Sequence, residues 1–517
     1  MITEMINPTK ISLSSSMITP VLSSAVISII IAMVFRGLRR RLLLPPGPWF
    51  FQVRMAYYMM TMAFPSRVEH IFEKLAMKYG KMFSFSFGSD VHVIISDPEI
   101  IREAFVRNRA VCSDRQIMAA YKMIYGGDYN HRILLANGPL WKTARRVVGP
   151  CLRNIGTWGQ QMESIIIHEA DSLLGKLGEQ TSKSFDPRHH INRAVANVIQ
   201  TMVHGYSLDL DDPKLQQMID SFQVTTSHPV VNRNSLRYFP FFYYMPRLRP
   251  LRQAMQFLKT TLSTAVYSQA IEYDHNNINT IVQRIMQAAE QDESTGEDRL
   301  KTKEVWRLVF DLMLAGTDTT ANTLQWAVLI MAHYPEIQKK VHEEIDRVLD
   351  ERGPRLQDKK SMPYLQATIM EILRIRPVVP MAIPHVTTEE IVLRGYTIPK
   401  GAILTPNIWS CHHSAEFWDN PEVFKPDRFL TNDMKSLVDE PLAYMPFSCG
   451  SRKCLGDQLA KNELFLIFAK IMQKFNIDFA LGDRPESLDE GFEKGVILRP
   501  NAMKIRLLPR AIYRHEE

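Results

Sequence analysis

The segment Phe447-Ser448-Cys449-Gly450-Ser451-Arg452-Lys453-Cys454-Leu455-Gly456 decides how the chain is read. Gly450 and Gly456 let the backbone fold tightly around a side chain. Cys454 stands just ahead of an amphipathic run, Leu455 to Phe475, with helical spacing. A cysteine at a helix N-terminus feels the positive end of the dipole and exposed amides, which favours its thiolate. A thiolate is the donor that a soft transition metal takes. No second cysteine or histidine stands at ligand spacing, so most of the ligation must come from something other than protein. A haem iron with one axial thiolate fits. A buried free cysteine is the plainer alternative.

Composition narrows the class around that segment. The chain has 517 residues, 45% hydrophobic and 23% charged, which excludes a disordered or fibrous protein. Lys plus Arg number 62 and Asp plus Glu 55, a formal charge of +7. That excess is small and forms no long basic stripe, so nucleic acid is not expected as a partner. The five cysteines are odd in number and make no C-x-x-C, which argues against a disulfide scaffold or a zinc knuckle. The one N-x-S/T match, Asn7-Pro8-Thr9, is blocked by its proline.

Toward the N-terminus, Ile11 to Phe35 carries no charge, and Met17 to Phe35 is mostly aliphatic. At ~1.5 Å per residue the latter spans about 28 Å, close to a bilayer core. Arg36, Arg39, Arg40 and Arg41 follow it, against Glu4 and Lys10 before it. The positive-inside rule places everything after Arg36 in the cytosol. Basic residues after the apolar run, rather than before it, favour an uncleaved signal anchor over a cleaved signal peptide. The expected organisation is a luminal tail (1–16), a transmembrane anchor (17–35), a basic and Pro-rich linker (36–48) and one large domain (49–517). Pro45-Pro46-Gly47-Pro48 cannot enter a helix or a central strand and reads as a stiff spacer.

The length alone suggests three or four domains, but no second linker or repeat is found. Alternating strands are expected at Met82–Phe87 and Val91–Ile95, after which 141–350 is mainly helical. Short strands return near Ile391–Ile398 and Ala402–Leu404, and others close the chain at Gly495–Leu498 and Ala502–Leu507. The fold expected is mainly α with small β-sheets (α+β), in a single domain.

Three more patterns stand out. Ala315-Gly316-Thr317-Asp318-Thr319-Thr320 lies inside a long helical run. Glycine costs a helix interior about 1 kcal/mol against Ala. An acid among hydroxyls there can bind water and pass protons, unless the threonines merely bond back to their own helix. Glu371 and Arg374 share a helix face, as do Trp141 and Arg145. Taken alone, both pairs read as ordinary surface pairs.

Together these motifs carry a resemblance. The F-x-x-G-x-R-x-C-x-G spacing resembles the haem-binding loop of the cytochrome P-450 family of haem-thiolate monooxygenases. The likeness runs from Pro45 to about Arg510 and is nearest to the eukaryotic microsomal branch that handles steroids and other lipophiles. It implies heme b with Cys454 as axial thiolate and metal ligand. It implies Trp141, Arg145, His385 and Arg452 as propionate donors and Phe447 as a further cofactor-binding residue. Asp318 and Thr319 resemble the acid and alcohol that deliver protons to dioxygen. Glu371 and Arg374, with Arg428, resemble a buried structural triad.

The resemblance implies NADPH–cytochrome reductase as electron donor, docking near Lys453 and Lys461, with cytochrome b5 as an optional second one. No G-x-G-x-x-G or G-x-x-x-x-G-K-[ST] fingerprint is present, so electrons come from a partner. The implied site is the endoplasmic reticulum membrane, single-pass. The implied reaction is insertion of one oxygen atom of O₂ into a lipophile by hydroxylation or epoxidation. A haem-thiolate isomerase or dehydratase and a non-catalytic haem sensor are the rival readings. The sequence departs from the family after Pro48, where Trp49-Phe50-Phe51 follows and no Gly-Asn appears. Pocket-lining segments are expected at 112–134, 227–246, 310–317, 378–383 and 491–495. The aromatic stretch Tyr238–Pro246, flanked by arginines, is expected to touch the membrane interface.

Overall fold

The computed structural model describes residues 43–48, 68–87, 90–116, 132–153, 156–227, 244–296, 299–480, 482–485, 488, 492–493, 497–502 and 504–510. The expected anchor, 17–35, lies outside them. Among the described residues no helix is long and apolar enough to cross a membrane.

Helices dominate. They are α1 (Val68–Tyr79), α2 (Pro98–Arg102), α3 (Arg109–Cys112), α4 (Gly138–Cys151), α5 (Gly156–Gly178), α6 (Arg188–His204) and α7 (Pro213–Ser227). Then follow α8 (Arg249–Ile271), α9 (Ile281–Glu290), α10 (Val305–His333), α11 (Pro335–Leu349), α12 (Pro363–Ile375), α13 (Ile408–His413) and α14 (Asp457–Lys474). The long helix α10 has 29 residues, about 44 Å at 1.5 Å per residue. It is apolar on nearly every side, the pattern of a helix enclosed by others. Its neighbours among the helices are α6, α7, α8, α9, α11, α12 and α14. Phe310, Leu324, Trp326 and Ile330 are buried in the one large core they share.

The strands are short and peripheral. The first sheet has the order β1 (Met82–Phe87), β2 (Asp90–Ile95), β7 (Ile403–Pro406), β4 (His385–Val386), β3 (Asp114–Arg115). β1 and β2 are antiparallel, with Met82 opposite Ile95, while β2 and β7 are parallel. The remaining strands pair antiparallel: β5 (Ile391–Leu393) with β6 (Tyr396–Ile398), β8 (Phe475–Phe479) with β11 (Ile505–Pro509), and β9 (Phe492–Glu493) with β10 (Arg499–Pro500).

The Pro-rich linker is docked at its end. The Ser84 amide donates to the Pro46 carbonyl at 3.0 Å, and the Ser84 hydroxyl donates to that of Pro45 at 2.6 Å. A Cβ on Gly47 would lie 1.7 Å from the Ser84 oxygen, so only glycine lets the linker approach edge strand β1 this closely.

Two expectations shift. The helix after the cysteine loop starts at Asp457, not Leu455, because Leu455 and Gly456 still belong to the turn. The closing strands start at Arg499 and Ile505, not at 495 and 502.

Glu371 and Arg374 are wholly buried rather than on a surface, and they join to Arg428. Arg374 reaches both Glu371 oxygens at 2.7 and 2.8 Å, and Arg428 Nε reaches Oε1 at 3.1 Å. Arg374 also donates to the carbonyls of His412 and Pro421, at 2.7 and 2.8 Å. His412 extends this knot. Its Nδ1 donates to the Arg374 carbonyl at 3.0 Å, and its Nε2 accepts the Met445 amide at 3.0 Å. Those two bonds fix one neutral tautomer, and burial pushes its pKa down to about 3. The triad thereby fastens the chain two residues ahead of Phe447.

Candidate active site

The cysteine loop takes its shape from backbone constraints. Gly450 has φ of +74°, the left-handed region, and a Cβ there would lie 2.1 Å from the Phe105 carbonyl oxygen. No other residue fits. The Cys454 amide donates to the Phe447 carbonyl at 3.0 Å, which closes the loop. Ser451 and Ser113 share a hydroxyl–hydroxyl bond of 2.6 Å, tying the loop to the end of α3. Cys454 is exposed, whereas Cys449 is half-buried against the core around the first sheet. Burial of its surroundings raises the Cys454 pKa, and the Gly456 amide, Arg145 and Lys453 pull the other way. A cation at the sulfur is what would convert it to thiolate.

Three arginines converge beside this loop. Arg452 donates to the carbonyls of Ser113 at 2.7 Å and Ala136 at 2.6 Å, and its guanidinium lies 3.7 Å from the Trp141 ring centre. Arg145 donates to the Lys453 carbonyl at 2.9 Å. Arg115, on β3 opposite His385 of β4, donates to the carbonyls of Ile383 and Pro384. Among the described residues none of the three forms an ion pair with a carboxylate. Burial, then Arg452 and Arg145, pushes the Arg115 pKa well down; burial alone accounts for most of the fall at Arg452, to about 9. A guanidinium does not give up its proton in a protein, so these directions measure how poorly the cations are compensated. The indole Nε1 of Trp141 is buried in the same cluster and has no partner.

His385 is buried and stacked on Phe105 at 4.0 Å. Its Nδ1 donates to the Cys112 carbonyl at 2.6 Å, and burial holds its pKa well below the usual value. A neutral ring bonded that way can only accept at Nε2, so His385 donates to an anion there only as imidazolium.

On α10 a narrow stripe escapes burial. Leu312, Ala315, Gly316 and Thr319 are partly accessible while Met313, Thr317, Asp318 and Thr320 are buried. The spacing i, i+3, i+4, i+7 is one helix face. Thr319 donates to the Ala315 carbonyl at 2.7 Å, so the back-bonding alternative holds as well, with the hydroxyl still on the open face. The helix runs on unbroken through Gly316, whose missing Cβ spares the Ile199 side chain of α6 a 3.0 Å contact. Val378, Val379, Met381 and Ala382 are half-buried, an apolar strap beside β4.

These features fit haem: an exposed cysteine in a rigid loop, three arginines with no ion pair among the described residues beside an orphan indole N–H, and an open helix face. A sequence profile of the family described as "Cytochrome P450" matches residues 45–507. The chain belongs to the cytochrome P450 family. Among its curated relatives, cytochrome P450 2U1 of Rattus norvegicus is 35% identical over 446 residues, 84% of this chain and 82% of the relative. A steroid 17-alpha-hydroxylase/17,20 lyase of Squalus acanthias is 31% identical over 445 residues, 84% of this chain and 86% of that one. A zebra fish cytochrome P450 solved with progesterone superposes with a TM-score of 0.76 at 27% identity, covering 86% of this chain and 99% of its own. As a P450, the protein is a haem monooxygenase, and its cofactor is haem iron held by a cysteine thiolate.

The P450 loop brings Phe447, Arg452 and Cys454 together, and Trp141 and Arg145 join them from α4. Asp318 and Thr319 stand apart from that cluster, on α10. Sequence reasoning missed Arg115 and His412. Arg115 sits in a two-residue strand with no motif of its own, and only the β3–β4 pairing carries it to His385. Of the expected pocket linings, 117–131, 228–243, 491 and 494–495 lie outside the described residues.

Proposed function

We propose that this P450 hydroxylates or epoxidises a neutral lipophile, with electrons from NADPH through a reductase. Haem, when bound, supplies the redox iron at which O₂ is reduced and one of its oxygen atoms transferred. Cys454 is the residue offered as its axial thiolate. Arg145, Arg452, Trp141 and, newly, Arg115 are offered as donors to its propionates, with His385 joining them once protonated. Phe447 would pack on the cofactor. Thr319, on the open face of α10, and the buried Asp318 beside it hold and move protons.

The observation that carries the reading is that face: apolar at Leu312, Ala315 and Gly316, with one hydroxyl, Thr319, on it. Such a surface excludes water from a lipophile and offers protons at one point. An isomerase that rearranges peroxides has no use for the acid and alcohol. The relatives include enzymes named for steroid hydroxylation, so steroids are the first substrates to screen, with terpenoids, polyketides and xenobiotics behind them.

The proposed setting is the endoplasmic reticulum membrane, with 1–16 luminal, 17–35 spanning, 36–48 linking and 49–517 cytosolic. Tyr244 and Met245, the described part of the aromatic stretch beside Pro246, are exposed, which supports a second contact with lipid.

The test is turnover of the purified protein with reductase and NADPH on a substrate found by its binding spectrum. Oxygenated product carrying one atom of labelled O₂ is expected. Product formed without NADPH or O₂ would favour the isomerase; no product from any binding ligand would favour the sensor.

A further inference from the structure

Asp318 is 4% exposed, yet no partner from its own turn neutralises it. Asn322, one turn further along α10, donates to Oδ1 at 3.0 Å. Oδ2 is taken by two residues from elsewhere. The Thr226 hydroxyl, in the last turn of α7, donates at 3.2 Å, and the Arg499 guanidinium of β10 forms a buried ion pair with it. Arg499 also donates to the Thr226 hydroxyl at 2.9 Å, so the three residues form a closed triangle.

The triangle is fastened to the expected walls of the substrate site. The Leu498 amide, next to Arg499, donates to the Val378 carbonyl at 2.8 Å, and the Trp326 indole donates to the Leu498 carbonyl at 3.2 Å. Val378 begins the apolar strap, and Thr226 closes the helix that leads into 228–243. Asp318 and Thr319 are adjacent on α10, about 100° apart. The carboxylate is thus held toward α7 and β10, while Thr319 occupies the accessible stripe.

We propose that Arg499 is a positioning residue for Asp318, and that Thr226 ties this pair to the end of α7. The acid's orientation is then set at Oδ2 from α7 and β10, in addition to the Asn322 bond at Oδ1 from α10 itself. The inference rests on the proton-relay reading of Asp318 given above.

Product formed per NADPH, and peroxide formed in its place, are measured for Asp318→Asn, Arg499→Gln, Arg499→Lys, Thr226→Val and the Asp318→Asn/Arg499→Gln double variant. Positioned proton transfer is worth on the order of 10²–10⁴, so a misaimed acid should lower product per NADPH by about tenfold or more. Arg499→Gln should approach Asp318→Asn with KM little changed. Arg499→Lys should recover much of the loss, and Thr226→Val should fall between. The double variant should be no worse than Asp318→Asn, because two residues acting through one carboxyl do not add. Without cofactor turnover, hydrogen exchange at 221–227 should quicken in Arg499→Gln and Thr226→Val.

If Asp318→Asn leaves product per NADPH unchanged, the relay reading falls and takes this inference with it. If Asp318→Asn uncouples but Arg499→Gln does not, or if their effects multiply, the relay stands and the role of Arg499 is overturned. Should Arg499→Gln fail to fold, the Lys and Val variants decide by the same two criteria.

Discussion

Among the described residues, two arginine clusters in the interior differ in what neutralises them. Arg374 and Arg428 share the Glu371 carboxylate and donate further to the carbonyls of His412, Pro421, Asp419 and Val423. Arg145 and Arg452 lie over Trp141 with Arg115 nearby, and all three have carbonyl acceptors only. The first cluster is complete within the chain and fastens the backbone before the cysteine loop. The second has the donors but, among the described residues, no carboxylate, and the haem propionates proposed above are the anions that would complete it. The comparison teaches that one part of this fold is finished by the sequence and the other by the cofactor.

Breaking the complete cluster should do the most damage. Glu371→Gln leaves two buried guanidinium groups uncompensated, a loss of about 3–5 kcal/mol for such pairs. Denaturant unfolding should show that loss with or without haem, or no folded protein should be recovered; a change under about 1 kcal/mol would break the contrast.

Arg452→Leu should do the reverse. Stability without haem should fall less than in Glu371→Gln. Haem release to an excess of apo-globin should quicken by about one to two powers of ten, since a charge-assisted bond is worth about 1.5–3 kcal/mol. Unchanged release would mean the cluster does not face the propionates.

A buried carboxyl sharpens the rule. Glu463 on α14 forms no ion pair among the described residues, and burial pushes its pKa to about 8, with a Thr320 hydrogen bond opposing. Below its ordinary value of 4.5 the carboxyl is protonated folded and unfolded, and contributes nothing. Between there and pH 8 the unfolded chain loses the proton that the fold keeps, so stability falls as pH rises through that window. Glu463→Gln should flatten this part of the stability–pH curve; an unchanged slope would place the dependence on other groups.

The smallest effect is expected at Trp141→Phe. It removes one neutral N–H, worth about 0.5–1.5 kcal/mol, and should speed haem release by about two- to tenfold, as read in the same transfer assay.

What the sequence revealed follows the same division. The loop around Cys454, the acid and alcohol on α10 and the Glu371–Arg374 pair are local patterns, readable because their spacing is covalent. Trp141 and Arg145 were also visible, but not their burial, which depends on Arg452 folding over the indole. Arg115, His412 and Arg499 carry no local signature, and contacts across long stretches of chain bring each to its place. The mainly helical fold with small sheets was legible from periodicity. The starts of α14 and β10 were not, because turn residues such as Leu455 and Gly456 keep the apolar pattern of the element they precede.

The most direct measurement is the reduced carbonyl difference spectrum of two single variants. Cys449→Ala should keep the haem-thiolate signature, because Cys449 is packed half-buried against the core around the first sheet. Cys454→Ala should abolish it. A thiolate signature that survives Cys454→Ala would contradict the account at its centre.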